Sequence, residues 1–177
     1  MRPADHRSQE TDSREPGTWR DYVAMARPDH WIKHIFILPG IVLALILHSL
    51  DLRDLLLTIA VGFLSAAALA SANYVLNEWL DAGHDVHHPV KAQRPAAARR
   101  LSPPVVYAEY LLLAAIGVAL AMTISALYLA TALIFLANGL LYNVRPWRTK
   151  DRAYLDVLTE SLNNPLRLLF GWAMVDS

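Results

Sequence analysis

Four polar residues recur at every fourth position where a long apolar segment ends: Asn73, Asn77, Asp81 and Asp85. Residues four apart on an α-helix stack on one face, about 6 Å apart along the axis. Two amides and two carboxylates would therefore form one polar stripe. Their oxygens are hard ligands of the kind that suits Mg²⁺, which binds one or two carboxylates together with substrate phosphates. The spacing predicts a Mg²⁺ site for a phosphate-bearing substrate.

Basic residues follow this stripe directly. Pro89 is expected to end the helix, which leaves Lys91 and Arg94 on a loop beside the carboxylates. Cations beside a carboxylate–metal site are what a diphosphate group requires. Two alternatives remain open here. The stripe could be the capped end of an interfacial helix, and the loop cations could serve only to orient the chain in a membrane.

The apolar segments that must position these residues are long enough to cross a bilayer. A helical span needs about 20 apolar residues. The longest segment, 105–142, is nearly twice that length, so we expect two helices joined by a turn near 123–126. The runs from 55 and 105 lack the polar outer face that a soluble bundle would need. The sequence predicts an all-α, polytopic transmembrane bundle of about five spans, drawn from segments 35–50, 55–76, 105–142 and 155–175.

The distribution of charge supports the predicted membrane bundle and predicts its orientation in the membrane. Five spans place fourteen of the sixteen Lys and Arg residues on one side, which the positive-inside rule makes cytoplasmic. We therefore expect a disordered cytoplasmic tail over residues 1–26, a transmembrane domain over 27–177, and a multi-pass protein of the cell (inner) membrane. Balanced net charge argues against a nucleic-acid partner. The absence of Cys excludes disulfides and thiolate metal sites.

Four sequence motifs, in the same order and spacing, resemble those of the UbiA superfamily of intramembrane prenyltransferases. Residues 77–85 (NEWLDAGHD) resemble its NDxxDxxxD motif, and residues 88–95 (HPVKAQRP) resemble the HPxKxxRP that follows it in many bacterial members. Residues 27–33 (RPDHWIK) match the entry to the first helix, and residues 142–150 (YNVRPWRTK) resemble the tyrosine-and-basic loop after the fourth helix. The resemblance covers residues 27 to about 175.

The resemblance implies a helical membrane enzyme that holds Mg²⁺ and a prenyl diphosphate over a central cavity. Asn77, Asp81 and Asp85 would be the catalytic, metal-binding residues. The implied substrate-binding residues are Lys91 and Arg94 at the diphosphate, and Asn73, Tyr142, Arg148, Lys150 and Asp156 around the same cavity. The expected partners are the lipid bilayer and the prenyl diphosphate, and the acceptor is not identified.

Two features depart from the family pattern. Glu78 stands where Asp is usual, and the second aspartate motif of the nine-helix family is not in the sequence. We therefore expect a UbiA-like but incomplete bundle. Five spans alone would leave cavity-facing polar groups exposed to lipid, which is a reason to expect a missing portion or an oligomer. The alternatives to a prenyltransferase are a truncated or split chain that needs an oligomer or a complementing chain, and a phosphoribosyl-to-lipid-phosphate transferase of the same superfamily. A kink at 163–165, with Arg167 turned inward, is a further expectation.

Overall fold

The computed structural model describes residues 14–48 and 51–176. Three short 3-10 helices, Pro28–Ile37, Lys91–Gln93 and Thr149–Asp151, link the α-helices. Nothing in the described ranges forms a strand, and the predicted all-α architecture is confirmed. The α-helices are α1 (Trp19–Met25), α2 (Leu38–His48), α3 (Leu52–Asp85), α4 (Pro95–Ala98), α5 (Pro103–Ala121), α6 (Ala126–Asn143), α7 (Ala153–Ser161) and α8 (Asn163–Val175).

Four stretches are long and apolar enough to cross a membrane: Trp19–His48, Leu55–Asp85, Pro103–Ala121 and Ala126–Asn143. Many large apolar side chains point outward from them. Ile46, Leu57 and Leu111, for example, are 69%, 77% and 63% exposed. So much exposed apolar surface is unfavourable in water and matches a lipid-facing bundle. The chain is therefore a multi-pass membrane protein.

The predicted fifth span consists of two shorter helices. α7 ends at Ser161 and α8 begins at Asn163, so the break falls immediately before the Asn-Asn-Pro sequence where a kink is expected. The amide of Asn138 donates to the carbonyl of Thr159 at 2.9 Å, and the hydroxyl of Ser125 donates to the carbonyl of Ala173 at 3.1 Å. Because Ser125 precedes α6 and Asn138 lies near its end, α7 and α8 together follow α6 through the depth of the bundle.

Small residues allow the closest helix contacts, as is usual in membrane bundles. A Cβ at Gly40 would overlap the backbone of Leu168 in α8, and one at Gly171 would overlap the backbone of Ile37 beside α2. Elsewhere the core is apolar, and its buried Tyr128 hydroxyl donates to the carbonyl of Gly62 at 2.6 Å. This packing fixes α8 against α2, and it fixes α3 against α6.

The end of the predicted tail, 1–26, differs from the expectation. Residues 1–13 lie outside the described residues, but Trp19–Met25 form α1 and Met25 is fully buried. Met25 packs in a small cluster with Val75 and Val106, because Tyr22 and Met25, three residues apart, share one face of α1. The helical packing thus begins earlier than residue 27.

Candidate functional site

A polar cavity of about 630 Å³ opens where α3 and α6 end and where α7 begins; we call this end of the bundle the polar end. The structure brings all ten site residues predicted from the sequence to the wall of this one cavity. They are Asn73, Asn77, Asp81, Asp85, Lys91, Arg94, Tyr142, Arg148, Lys150 and Asp156. Their convergence is observed, and their chemical roles remain predictions.

Asp81 is the centre of the charge network. Its Oδ1 accepts from the Lys150 ammonium at 2.6 Å and from Nη2 of Arg148 at 2.9 Å. All three side chains are shielded from water, with exposed fractions of 17% for Asp81 and 10% for each cation. Charge-assisted hydrogen bonds of this length are among the stronger contacts in proteins. The cations reach Asp81 from the loop after α6, so this network ties that loop to α3.

Lys150 lies among three side-chain oxygens. Its Nζ donates to Asp81, to Oδ1 of Asn77 at 3.1 Å and to Oδ1 of Asn143 at 2.8 Å. Burial lowers the pKa of Lys150, and the neighbouring Asp81 carboxylate opposes that shift. The same nitrogen lies 5.6 Å from the centre of the Tyr142 ring. Oxygen atoms from α3 and α6 thus surround a single positive charge.

Arg148 is held in an unusual backbone conformation, with a φ of 22°. Its side chain also donates to the carbonyl of Leu80 at 3.4 Å and to Asp151 at 3.1 Å. This ion pair lowers the pKa of Asp151. Non-glycine residues at positive φ are uncommon, and they are often found where a side chain must be aimed at a site.

The second carboxylate of the stripe, Asp85, is buried and has its own partner. Its Oδ2 accepts from Nη1 of Arg94 at 2.7 Å. The ring nitrogen Nδ1 of His88 accepts from the backbone amides of Val90 and Lys91, each at 3.2 Å, which shapes the loop. No ion pair to Lys91 is found within the part of the chain that the structure describes. In this loop, Arg94 is therefore neutralised by Asp85, whereas the charge of Lys91 is not compensated by a described residue.

Glu78 does not belong to this cavity. Its side chain is 2% exposed and accepts from Nη2 of Arg27 at 2.9 Å. It also accepts from the backbone amide of Ala96 at 3.3 Å. Arg27 adopts a left-handed backbone conformation, with a φ of 49°. The carboxylate that replaces the usual Asp thus joins the chain before α2 to α3 and α4, and it does not add a ligand to the stripe.

The cavity wall also contains residues that the sequence analysis did not single out, chiefly Lys33, Tyr74, Asn138 and Asn143. A signal was available for two of them. Asn138 and Asn143 are the polar amides of the otherwise apolar α6, and polar residues within membrane helices usually face a cavity. Arg167, which was expected to turn inward, lines the cavity together with Glu160, Asn163 and Asn164.

The oxygen set fits a hard cation. Asn77, Asp81 and Asn143 direct oxygens at one positive nitrogen, and Asp85 lies one turn further along α3. Within 14–48 and 51–176, no three His, Asp or Glu side chains are grouped closely enough to hold a metal by themselves. Mg²⁺ takes one or two carboxylates and completes its shell with water and phosphate oxygens.

The chain is similar to curated proteins of two organisms. The chain is 29% identical over 151 residues to the "Nodulation protein NoeC" of Azorhizobium caulinodans, a match that covers 85% of this chain and 47% of NoeC. It is also 29% identical over 152 residues to the "Uncharacterized protein y4nM" of Sinorhizobium fredii, covering 86% of this chain and 28% of that protein. The chain thus spans about half or less of these relatives.

The sequence model of the "UbiA prenyltransferase family" matches residues 35–177, which include α2 to α8 and almost the whole wall of the polar cavity. Only Lys33 among the cavity residues precedes the matched region. The match extends over most of the chain, and the chain therefore belongs to the UbiA prenyltransferase family.

Proposed function

We propose that this chain is a Mg²⁺-dependent intramembrane transferase that moves a prenyl group from a prenyl diphosphate to an acceptor. The observation that carries the proposal is the polar cavity, where acidic, amide and basic side chains meet at one end of an apolar bundle. They come from four α-helices, the 3-10 helix Pro28–Ile37 and two loops. Membership of the UbiA prenyltransferase family supports the general reaction. Because the chain covers 47% and 28% of its two relatives, activity of the chain by itself is part of the proposal.

The loop cations bind the diphosphate in this proposal. Lys91 has no carboxylate within ion-pair distance among the described residues, so its charge is available to an anion. Arg94 is bound to Asp85 and would turn from that carboxylate to a phosphate oxygen. Planar arginine and flexible lysine are the usual pair of phosphate-binding side chains.

Asn77, Asp81 and Asp85 would hold the Mg²⁺, for which their oxygens are suited. When bound, the ion would neutralise charge on the departing diphosphate. Lys150 and Arg148 neutralise Asp81 in the structure, and both cations would turn to the incoming diphosphate. The polar end would therefore keep its charges balanced before and after the substrate arrives.

The chemical step breaks the bond between the prenyl carbon C1 and the diphosphate oxygen, whose electron pair leaves with the diphosphate. The acceptor nucleophile forms its bond to C1 and loses a proton. Positive side chains around the diphosphate stabilise the charge that develops on it, which is the main way in which such a site lowers the barrier. The apolar bundle next to the cavity accommodates the isoprenoid chain and excludes water.

The experiment that tests the proposal is consumption of farnesyl diphosphate by membranes that contain this chain, with and without Mg²⁺. Turnover that is lost with EDTA and with Asp81→Asn is the expected result. Arg53→Gln, an exposed arginine at the start of α3, is the matched control. Normal insertion without turnover in any acceptor mixture would contradict activity of this chain alone and favour a half that needs a complementing chain.

The polar end is proposed to face the cytoplasm, because most basic residues of the chain lie in its loops and N-terminal region. The chain contains no Cys, so single cysteines report their own position. Ser102→Cys lies at the polar end and Thr123→Cys in the turn at the opposite end, and both positions are exposed. A membrane-impermeant thiol reagent applied to intact cells should label only the second variant. Labelling of only the first would reverse the orientation.

A further inference from the structure

The segment directly before α1, residues 14–17, lies along the loop that follows α3; we call this segment the N-terminal strap. The amide of Gly17 donates to the carbonyl of Arg100 at 3.1 Å, and the amide of Arg100 donates to the carbonyl of Glu15 at 2.9 Å. The side chains of Glu15 and Arg99 form an ion pair beside this backbone contact. Glu15 and Arg99 are 84 positions apart in the chain, so the strap is held by tertiary contacts.

Arg14 connects the strap to the short helix α4. Its Nη1 donates to the carbonyls of Ala96 at 3.2 Å and of Ala97 at 3.3 Å. The last carbonyls of a helix have no partner within the helix, and a basic side chain near that end can satisfy them. Because α4 has only four residues, it is too short to be stable by itself, and contacts from outside must hold it. Arg14 supplies such contacts on one side, and Glu78 supplies another by accepting from the amide of Ala96.

The helix α4 in turn fixes the backbone of the cations that are proposed to bind the diphosphate. The carbonyl of Arg94 accepts from the amides of Ala97 at 3.0 Å and of Ala98 at 2.8 Å. The amide of Arg94 donates to the carbonyl of Lys91 at 3.0 Å, so both cations belong to one hydrogen-bonded unit with α4. Lys91 and Arg94 line the polar cavity, whereas the described residues 14–17 do not. The strap therefore supports this unit from outside the cavity.

We propose that Arg14 is a positioning residue of the diphosphate site, which holds α4 from outside so that Lys91 and Arg94 point into the cavity. Direction matters because an arginine binds phosphate oxygens through a planar fork of donors, which fits only in certain orientations. A loop that is already ordered loses less freedom when the ligand binds, and it therefore binds the ligand more tightly. This inference rests on the proposed diphosphate site, and it adds to that site a segment that does not touch the substrate.

Two measurements on the purified chain in detergent test this role. Hydrogen–deuterium exchange without ligand reports the order of the loop: Arg14→Met removes the donors to α4 and should speed exchange of the amides of residues 96–100, while those of α5 and α6 keep their rates. Equilibrium binding of farnesyl diphosphate with Mg²⁺ reports the consequence for the cavity, and we expect Arg14→Met to bind about fivefold more weakly. In turnover, KM should rise by a similar factor while kcat stays within about twofold of the unaltered value.

Three matched variants separate the positioning role from a plain effect of charge. Arg14→Lys keeps a donor and a positive charge, and it should retain most of the affinity for farnesyl diphosphate. Arg20→Met removes the same charge from an exposed position on α1 and should leave binding unchanged. Gly17→Val changes no charge, but a Cβ at this position would overlap the buried side chain of Leu101 and displace the strap. Gly17→Val should therefore weaken binding as Arg14→Met does.

The Lys91→Gln/Arg94→Gln variant keeps failure of this inference distinguishable from failure of the proposed function. If the double variant binds farnesyl diphosphate as the unaltered chain does, or if the unaltered chain does not bind it, the proposed diphosphate site is wrong and the inference falls with it. If the double variant loses affinity while Arg14→Met and Gly17→Val, both folded, keep it, only the positioning role is overturned. Weaker binding by Arg14→Met with normal binding by Gly17→Val would overturn that role as well, since the effect would then be one of charge.

Discussion

Glu78 and Asp81 belong to one sequence motif and one helix, yet they meet opposite environments. Glu78 is 2% exposed and joins α3 to Arg27 and the amide of Ala96. Asp81 lines the polar cavity and accepts from two cations that come from the loop after α6. Both are carboxylates with basic partners, so the pairing by itself does not distinguish a structural acid from a substrate-facing one.

Helix geometry explains the difference. Asn77, Asp81 and Asp85 are four residues apart and share one face, whereas Glu78 is displaced from Asn77 by about 100°. The side chain of Glu78 on the rotated face contacts α4 and the chain before α2, and it is almost completely buried there. The carboxylates of the motif therefore divide into one that holds the helix in place and two that face the cavity.

Removing the charge of Glu78 should have the largest effect, and it should be on stability. Glu78→Gln keeps the shape but leaves Arg27 without a counter-charge, and breaking a buried pair in this way costs about 3 kcal/mol or more. Thermal unfolding in detergent measures this loss. The double variant Arg27→Gln/Glu78→Gln should recover part of it, because no unpaired charge remains. A single variant as stable as the unaltered chain would contradict the structural assignment.

Asp81→Asn should reduce transfer strongly and stability only slightly, the reverse of Glu78→Gln. We expect transfer to fall by about 100-fold, because the site loses a negative charge that must organise cations around the diphosphate. The loss of stability should be smaller than for Glu78→Gln, since Asp81 is partly open to the cavity. Turnover and unfolding are measured on the same preparations. Equal destabilisation of both variants would remove the distinction between the two faces.

Much of this arrangement could be predicted from the sequence, because it depends on local spacing. The four-residue period of Asn73 to Asp85 identified the cavity face, and apolar length identified α3, α5 and α6. A kink at 163–165 was expected from Pro165 and its polar neighbours, and the structure has a helix break directly before this segment, between Ser161 and Asn163. Each of these features is set within a few turns of chain.

The features that the sequence analysis missed depend on contacts between distant segments. The partner of Glu78 is Arg27, 51 residues away, and nothing in the motif shows which way the side chain turns. Lys150 meets oxygens from α3 and α6 only once those helices are packed. Met25 of α1, which lies in the predicted tail, is buried by Val75 and Val106, and both of these are at least 50 residues away along the chain.

Lys150→Met sharpens the comparison on the cavity side by removing the ammonium from the three oxygens around it. We expect a divalent cation to bind the chain without diphosphate at least about tenfold more tightly, equivalent to ~1.4 kcal/mol, because the competing charge is gone. Mn²⁺ titration followed by electron paramagnetic resonance measures this without turnover. Unchanged or weaker Mn²⁺ binding would mean that these oxygens are not the cation site. The matched control is Arg152→Met, at an exposed position directly before α7.

The smallest effect is expected on a third face of the same helix. Gly83 lies between Asp81 and Asp85 in sequence, but a Cβ there would meet no atom within 4 Å. Alanine is favoured over glycine in a helix, so Gly83→Ala should stabilise the chain by about 0.5–1 kcal/mol and leave transfer unchanged. Unfolding and turnover together test this. Lost transfer in a stably folded Gly83→Ala variant would show that another segment packs on this face. Three faces of the helix would then be needed for structure or activity, instead of two.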